Sequence, residues 1–149
     1  RFSVYDDVIY YTTNDGNLYS FDPKEASHKS KFIKKLDDSY VHEIYVIKDK
    51  CYYLCENNTY CYSFSNNMTE LITDYSVYNY NVFDDKLFLL TENNGIYYVE
   101  ENQINKISNI SATCIYSVDD EYLYTYSIDR NIYRIKVDNG QVEPIIETK

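Results

Sequence analysis

The sequence contains no tryptophan, and its 149 residues include only 3 glycines, 2 prolines and 2 histidines. Glycine and proline this scarce exclude a collagen-like chain, and a hydrophobic fraction of 44% excludes a disordered one. Gly16, Gly95 and Gly140 are isolated turn glycines, which cannot build a phosphate-binding loop. His28 and His42 have no nucleophile or acid motif beside them, so we interpret both as surface or strand residues.

Long apolar stretches and excess basic charge are also missing. No run approaches the ~18 apolar residues of a membrane-spanning helix, and no signal peptide is visible. Because the sequence begins at Arg1 and not at Met, removal of a leader or an upstream domain stays open. The formal net charge of −10 repels phosphate backbones, so we predict that nucleic acid is not a partner. Residues 28–35 gather four lysines, which we interpret as a solvated edge strand, with an anionic-ligand site as the alternative.

The four cysteines lack the spacing of a metal site. Cys51, Cys55, Cys61 and Cys114 form no Cys-x-x-Cys pair, and two histidines give a structural zinc site little support. Cys51 and Cys55 share one face of an alternating strand. We therefore interpret the four cysteines as free, buried thiols, and a Cys55–Cys61 disulfide across a hairpin is the alternative.

Aromatic residues, in contrast, are abundant, and they recur in a repeat. The 20 tyrosines and 6 phenylalanines suit a half-buried pleated surface and favour strands over helices. Two landmarks return about every 37 residues, which is a typical blade length. They are an acid at a turn and a tyrosine in a following strand: Asp7, Asp49, Asp85 and Asp120, and Tyr19, Tyr62, Tyr97 and Tyr133. The chain is therefore built of four copies of one unit.

Each unit contains four short runs separated by turn residues, which is typical of a four-stranded antiparallel sheet. In the last unit the runs are residues 112–118, 121–127, 131–137 and 141–146. We predict an all-β fold, a β-propeller of four-stranded antiparallel blades. It is a single domain over residues 1–149, with blades at about 1–36, 41–73, 77–107 and 112–146. A closed four-bladed ring and a part of a larger propeller both remain open.

The stretch "LYTYSIDRNIYRIKVDNGQVEPI" at residues 123–145 resembles a YWTD-type propeller repeat of low-density lipoprotein receptors. The shared pattern is a tyrosine-rich strand, a turn, Ile-x-Arg and then an Asp-Gly type turn. The Trp-Thr-Asp tripeptide is absent from every unit, so no receptor residue is carried over. The tryptophan-free form with Asp-Asp turns is more similar to uncharacterised propeller repeats of bacterial envelope and secreted proteins. This resemblance implies an extracellular or cell-envelope location rather than a cytoplasmic one.

No catalytic constellation is visible, so we predict a non-enzymatic binding module for a protein or a glycan, within a larger bacterial surface or secreted protein. Two alternatives stay open: a propeller hydrolase or lyase with a central-channel site, and a structural subunit that self-associates through open blade edges. The acid pairs Asp6-Asp7, Asp84-Asp85 and Asp119-Asp120 suggest a cation ring, but duplication of one turn explains them more simply. We predict no metal and no cofactor.

The candidate binding residues lie in the loops between the second and third strands of the four units. These loops are rich in Asn, Asp and Tyr, which stack on and hydrogen-bond to a sugar or a peptide with little loss of entropy. The candidates are Asn14, Asp15, Asn17, Asn57, Asn58, Tyr60, Asn93, Asn94, Asp129 and Arg130.

Overall fold

The computed structural model describes residues 1–93, 95–119 and 121–146. Within these ranges the regular elements are sixteen β-strands. They form four separate four-stranded antiparallel sheets, and in each sheet neighbouring strands follow the order of the chain. The predicted all-β architecture of four antiparallel sheets is therefore confirmed.

The first compact unit, Arg1–Asp74, contains two of the sheets. The first sheet consists of β1 (Phe2–Tyr5), β2 (Val8–Thr12), β3 (Asn17–Phe21) and β4 (Lys31–Lys35). The second sheet consists of β5 (Val41–Ile47), β6 (Lys50–Cys55), β7 (Asn58–Ser63) and β8 (Thr69–Thr73). Within its sheet β4 pairs with β3 alone, so the lysine-rich segment is the edge strand that its charge predicted.

The second compact unit, Tyr75–Lys149, contains the other two sheets. The third sheet consists of β9 (Val77–Phe83), β10 (Lys86–Thr91), β11 (Gly95–Glu100) and β12 (Gln103–Ser108). The fourth sheet consists of β13 (Ala112–Val118), β14 (Tyr122–Ser127), β15 (Ile132–Lys136) and β16 (Val142–Ile146). The strands predicted for this last sheet begin and end within one residue of those observed.

The acid pairs form the tight turns between the first and second strands of the first and third sheets. Asp6 and Asp7 have φ angles of 50° and 63°, and Asp84 and Asp85 have φ angles of 47° and 58°. Two consecutive positive φ angles define the type I′ turn, whose twist matches that of the flanking strands. Aspartate tolerates this conformation because its short polar side chain bonds locally. Turn geometry thus accounts for the acid pairs of the first and third sheets, whereas Asp120 of the third predicted pair lies outside the described residues.

A hydrophobic core lies between the two sheets of the first unit. Leu18 of β3 and Cys51 of β6 are fully buried there, and Tyr53 packs beside them. The Tyr53 hydroxyl donates a hydrogen bond to the backbone carbonyl of Leu36, 3.2 Å away. Satisfying that hydroxyl lets a tyrosine ring pack inside without an unpaired polar group.

The second unit has a core of its own between its two sheets. Phe88 and Leu90 of β10 pack in it with Leu123 of β14 and Ile135 of β15, and all four are buried. Burying one such side chain stabilises a fold by roughly 1.5–3 kcal/mol. The apolar second strand of the third sheet, β10, is thus a core strand.

The outer face of the first sheet is aromatic and open. Direct cross-strand pairs connect Phe2 to Tyr11, Tyr11 to Tyr19 and Tyr19 to Phe32, so these rings form a row across all four strands. Tyr11 and Tyr19 stack with ring centroids 5.5 Å apart. At the two ends of the row, Phe2 is 71% exposed and Phe32 is 59% exposed. We call this row the open aromatic face.

The cysteines are free thiols. Cys51, Cys55 and Cys61 are buried, whereas Cys114 is half-buried. Cys55 pairs with Asn58 and Cys61 pairs with Tyr52, so the two cysteines point to opposite faces of the second sheet. The alternative Cys55–Cys61 disulfide is therefore wrong, because a bridge cannot pass through the sheet.

Candidate functional site

The structure places the predicted binding residues at the turns between the second and third strands of the four sheets or in the strand that follows. Asn94 lies outside the described residues. In the first unit the β2–β3 turn holds Asn14 and Asp15, and the β6–β7 turn holds Asn57. Asn17 begins β3, and Asn58 and Tyr60 lie in β7, so the prediction of a loop position is wrong for these three residues. In the second unit the β10–β11 turn holds Asn93, and the β14–β15 turn holds Asp129 and Arg130.

The Asp15 carboxylate is occupied within its own turn. It accepts hydrogen bonds from the Thr13 hydroxyl at 2.7 Å and from the Asn17 side-chain amide at 2.9 Å. The Thr13 hydroxyl is the largest cause of a lowered pKa for Asp15, because the bond favours the ionised form. Asp15 therefore serves the turn as an acceptor.

Asp129 has the same kind of role in the fourth sheet. Its carboxylate accepts bonds from the Tyr133 hydroxyl at 2.7 Å and from the backbone N–H of Asn131 at 3.0 Å. The Tyr133 bond is the main cause of the lowered pKa of Asp129. The side-chain amide of Asn131 also donates to the Tyr133 hydroxyl, 3.3 Å away. This turn is thus a local network of hydrogen bonds.

The β6–β7 turn repeats part of that network. The Asn58 amide donates to the Tyr60 hydroxyl at 3.2 Å, and the Tyr60 ring stacks on Tyr53 with centroids 5.4 Å apart. Asn58 and Tyr60 match Asn131 and Tyr133 in the fourth sheet. The turn residues have structural roles, and ligand binding by them stays a prediction.

A cavity of about 290 Å³ lies between the third and fourth sheets, inside the second unit. We call it the second-unit pocket. It is lined by three aromatic rings, two valines and three charged side chains, namely Phe83, Phe88 and Tyr98, Val118 and Val137, and Asp84, Lys86 and Asp119. Charged and aromatic side chains thus face one cavity, and polar groups placed in this way can orient a bound ligand.

The aromatic rings of the pocket contact one another edge to face or at a tilt. The Phe83 and Phe88 centroids are 6.2 Å apart at an interplanar angle of 69°, and those of Phe88 and Tyr98 are 6.4 Å apart at 43°. Phe88 is buried in the core. The Lys86 Nζ stands 5.6 Å from the centroid of the Tyr98 ring, in cation–π contact. Phe88 therefore forms a buried floor, and the Lys86 ammonium group lies over the Tyr98 ring.

The two units differ in the residue that follows the third strand of their second sheet. Phe64 follows β7 and Val137 follows β15, and each donates its backbone N–H to the loop before the second strand of its sheet, to Asp49 at 2.8 Å and Glu121 at 2.9 Å. In the first unit the Phe64 ring packs on Tyr10, with centroids 5.7 Å apart. In the second unit the smaller Val137 lines the cavity. Because Val137 has no ring, space remains open beside it.

The rim of the pocket carries opposite charges. The Asp119 carboxylate accepts bonds from the backbone N–H groups of Tyr122 at 2.6 Å and Glu121 at 2.9 Å. These bonds, the Tyr122 bond first, lower the pKa of Asp119 and keep it ionised at neutral pH. Two carboxylates, on Asp84 and Asp119, thus share the rim with the ammonium group of Lys86, and the Arg134 guanidinium also acts on Asp119.

The sequence predicted the acid pairs of this rim but missed the pocket. Phe83, Phe88, Tyr98 and the two valines follow the strand pattern of core residues, which hides them. A signal existed in the comparison of repeats, because Phe64 and Val137 occupy the same place after the third strand. The smaller side chain, Val137, marks the position of the second-unit pocket.

The described ranges contain neither a cluster of metal ligands nor a membrane-spanning helix. No group of three or more His, Cys, Asp or Glu residues there lies close enough to hold a metal ion. None of the described residues forms a helix with the length and hydropathy that a membrane span requires.

No family model matches the chain, and no curated protein matches it. Solved β-propeller domains do share its fold. The N-terminal domain of Nup159 matches with a TM-score of 0.69 and 12% identity, over 100% of this chain and 44% of that chain. PorZ, a bacterial surface component of the type-IX secretion system of Porphyromonas gingivalis, matches with a TM-score of 0.70 and 14% identity, over 97% of this chain and 22% of that chain.

A third match is the S. cerevisiae structure of dbp5 bound to nup159, with a TM-score of 0.69 and 12% identity, over 99% of this chain and 43% of that chain. This chain thus spans less than half the length of the solved chains that it matches. At such low identity the likeness establishes a β-propeller type of fold and leaves the activity open.

Proposed function

We propose that the chain is a non-enzymatic β-propeller module that binds a protein or a glycan through the second-unit pocket. The pocket carries this proposal, because it joins an aromatic floor to ionised side chains in a cavity large enough for a ligand group. Support comes from the solved neighbours, since nup159 is seen bound to dbp5. The predicted turn residues then belong to the scaffold that holds the sheets.

The module is part of a larger propeller, of the YWTD-like type, in a bacterial surface or secreted protein. The open aromatic face supports this proposal. Tyr53 and Tyr60 of the second sheet form a stacked pair like that of Tyr11 and Tyr19, and Tyr53 is buried in the core between the first two sheets. Each pair takes the fourth residue of the second strand. The face is thus built to receive one more sheet.

The test of the binding function uses Val137→Phe, which places in the pocket the ring that Phe64 supplies in the first unit. We expect a ligand selected by the wild-type chain on peptide and glycan arrays to be lost by this variant. Val142→Phe is the matched control, because Val142 lies on the edge strand β16 and outside the pocket.

Circular dichroism of both variants checks that they fold. Equal retention of the ligand by Val137→Phe and wild type would contradict the role of the pocket. Turnover of an array compound by the pure chain would overturn the non-enzymatic function.

A further inference from the structure

We propose that the chain associates head to tail with a second copy of itself, by contact between the open aromatic face of its first sheet and a tyrosine-rich face of its fourth sheet. This inference rests on the proposed function, because it identifies the partner that the open aromatic face receives. Three observations carry it: a joint between sheets that both units repeat, matching positions on the two open faces, and a difference in charge between the two ends of the chain.

Both units build the joint between their two sheets in the same way. Leu18 of β3 packs in one core with Ile44 of β5. Phe88 of β10 packs in one core with Ile115 of β13. Leu18 is adjacent to Tyr19 in β3, so it lies on the face of the first sheet opposite the open aromatic face. The first sheet therefore contacts the second sheet with one face, and its other face is open.

A hydrogen bond between the first strands of the two sheets accompanies each joint. The Ser3 hydroxyl accepts the backbone N–H of Val46 at 2.9 Å. The Asn81 side-chain oxygen accepts the backbone N–H of Ile115 at 3.4 Å. Ser3 and Asn81 occupy the same position, three residues before the acid pair of their units. A joint thus consists of an apolar core and a polar side chain of the earlier sheet that accepts a backbone N–H of the later one.

The open aromatic face has the residues of the later half of such a joint. Phe2 and Val4 lie on one face of β1, at the positions that Ile44 and Val46 take in β5. Phe2 and Val4 are exposed, whereas Ile44 and Val46 are buried in the joint of the first unit. Val46 donates its N–H across that joint, so Val4 supplies the matching donor on β1.

The outer face of the fourth sheet has the residues of the earlier half. Tyr124 is the third residue of β14, the position that Tyr10 takes in β2 and Phe88 in β10. The Tyr10 and Phe88 rings pack in the joints of their units. Tyr122 and Tyr126 lie on the same face of β14 as Tyr124, and all three are only half-buried. We call Tyr116, Tyr122, Tyr124 and Tyr126 the tyrosine face.

Tyr116 belongs to the tyrosine face because it interacts with Tyr126, and it is 63% exposed. It lies three residues before the acid pair of its unit, as Ser3 and Asn81 do. Its hydroxyl oxygen can therefore take the place of the Ser3 hydroxyl and accept the backbone N–H of Val4 in a second copy. The two open faces thus match each other as the two faces of a joint do.

The two ends of the chain also differ in charge. Residues 1–36 carry six basic and five acidic side chains, whereas residues 112–146 carry three basic and six acidic ones. The slightly basic first end attracts the acidic last end, and two acidic ends repel each other. Charge therefore favours contact between unlike faces, which is the heterologous arrangement that closes a ring or extends a row of copies.

The experiment measures the average mass of the chain by sedimentation equilibrium from about 1 μM to about 1 mM, the range of a weak interface. Val4→Lys disrupts the open aromatic face, and Tyr116→Lys disrupts the tyrosine face. Both residues are exposed, so both variants should fold, and circular dichroism checks this. Lysine lowers the net negative charge, so weaker association cannot come from stronger repulsion. Met68→Lys is the matched control, because Met68 is equally exposed but lies in the β7–β8 turn, away from both faces.

We expect the masses of wild type and Met68→Lys to rise with concentration to at least two copies. Each face variant alone should associate at least roughly tenfold more weakly, because every contact needs both faces. An equimolar mixture of Val4→Lys and Tyr116→Lys should form a one-to-one pair, since each variant keeps the face that the other lacks. Contact between two like faces predicts instead that one of the variants associates alone and that mixing adds nothing.

Three outcomes would overturn the proposal: a wild type that is monomeric over the whole range, a face variant that associates alone as strongly as wild type, or a mixture that stays monomeric. If the chain is monomeric while an array ligand is lost on Val137→Phe, the binding function stands and the self-association is wrong. If the mixture pairs while Val137→Phe retains every array ligand, the self-association stands and the binding function of the pocket fails.

Discussion

At the scale of single residues, burial determines the pKa and the reactivity of the cysteine thiols. Desolvation raises the pKa of Cys51, and it is the main cause that raises the pKa of Cys55 and of Cys61 to about 11. Only the thiolate is a good nucleophile, and a rise of two units lowers its fraction roughly a hundredfold. Cys114 is half-buried on β13 and therefore more accessible.

We predict that iodoacetamide at pH 8 alkylates Cys114 first and the three buried cysteines much later. Mass spectrometry of peptides after timed labelling measures the order. The same labelling in urea is the control, because all four thiols should then react at similar rates. Early labelling of Cys51 in the native chain would mean that the core between the first two sheets opens readily.

Single residues also show the limit of the sequence in predicting the site. The turn residues Asp15 and Asp129 were placed correctly at turns, because Asn, Asp and Gly are selected there by local backbone geometry. The pocket depends instead on side chains that approach from two sheets, as Phe88 and Val137 do. The alternation of apolar and polar residues along a strand predicts which face of its own sheet a residue occupies. It does not predict which residues of another sheet pack against that face.

At the scale of the elements, the turn before β11 requires a residue without a side chain at Gly95. Gly95 begins β11 with a φ of +94°, and a Cβ built there would lie 1.9 Å from the backbone oxygen of Ser108. Ser108 ends β12, the edge strand of the third sheet. Glycine at this position lets the hairpin pass close to its neighbouring strand.

We predict that Gly95→Ala lowers the free energy of unfolding by roughly 1–3 kcal/mol, the cost of a strained backbone position. Urea unfolding followed by circular dichroism measures it. Glu92→Ala, in the same turn and exposed, is the control and should change stability by less than about 0.5 kcal/mol. Equal stability of Gly95→Ala and wild type would show that the strand ends shift freely.

The elements themselves were predictable because each sheet is local in sequence. Turn acids and alternating side chains define every hairpin, and no contact between distant residues is needed to place it. The irregularities were not predictable. The register of β9 and β10 shifts between Leu90 and Thr91, and Val118 pairs with Leu123 across a longer loop than its counterparts. These depend on how a particular sheet twists and packs.

The number of blades belongs to the scale of the whole molecule. Repeat length and strand order follow from one unit, whereas closure depends on contacts that no single unit contains. The open aromatic face bears on that question, since Phe2 is 71% exposed on the first sheet, whereas Ile44, at the matching position of the second sheet, is 2% exposed. A closed four-bladed ring would bury this face, and a part of a larger propeller leaves it uncovered.

We predict that Phe2→Lys changes the free energy of unfolding by less than about 0.5 kcal/mol, as expected for an uncovered surface position. The substitution should also raise the solubility of the chain, because it interrupts an exposed apolar patch. Thermal unfolding and the saturation concentration measure both effects. Leu18→Lys is the control and should abolish folding, since Leu18 is fully buried. A loss of several kcal/mol for Phe2→Lys would indicate a closed ring.

The difference between Phe64 and Val137 has a consequence for how such a protein changes over time. Within each unit the joint between its two sheets has the same position after the third strand, filled by Phe64 in the first unit and left open beside Val137 in the second. In a chain of duplicated units, a large side chain at this position can therefore be replaced by a small one in one unit at a time. Each replacement opens a cavity and leaves strand pairing and turns unchanged. Single substitutions can then create different cavities in different units, while the backbone stays the same.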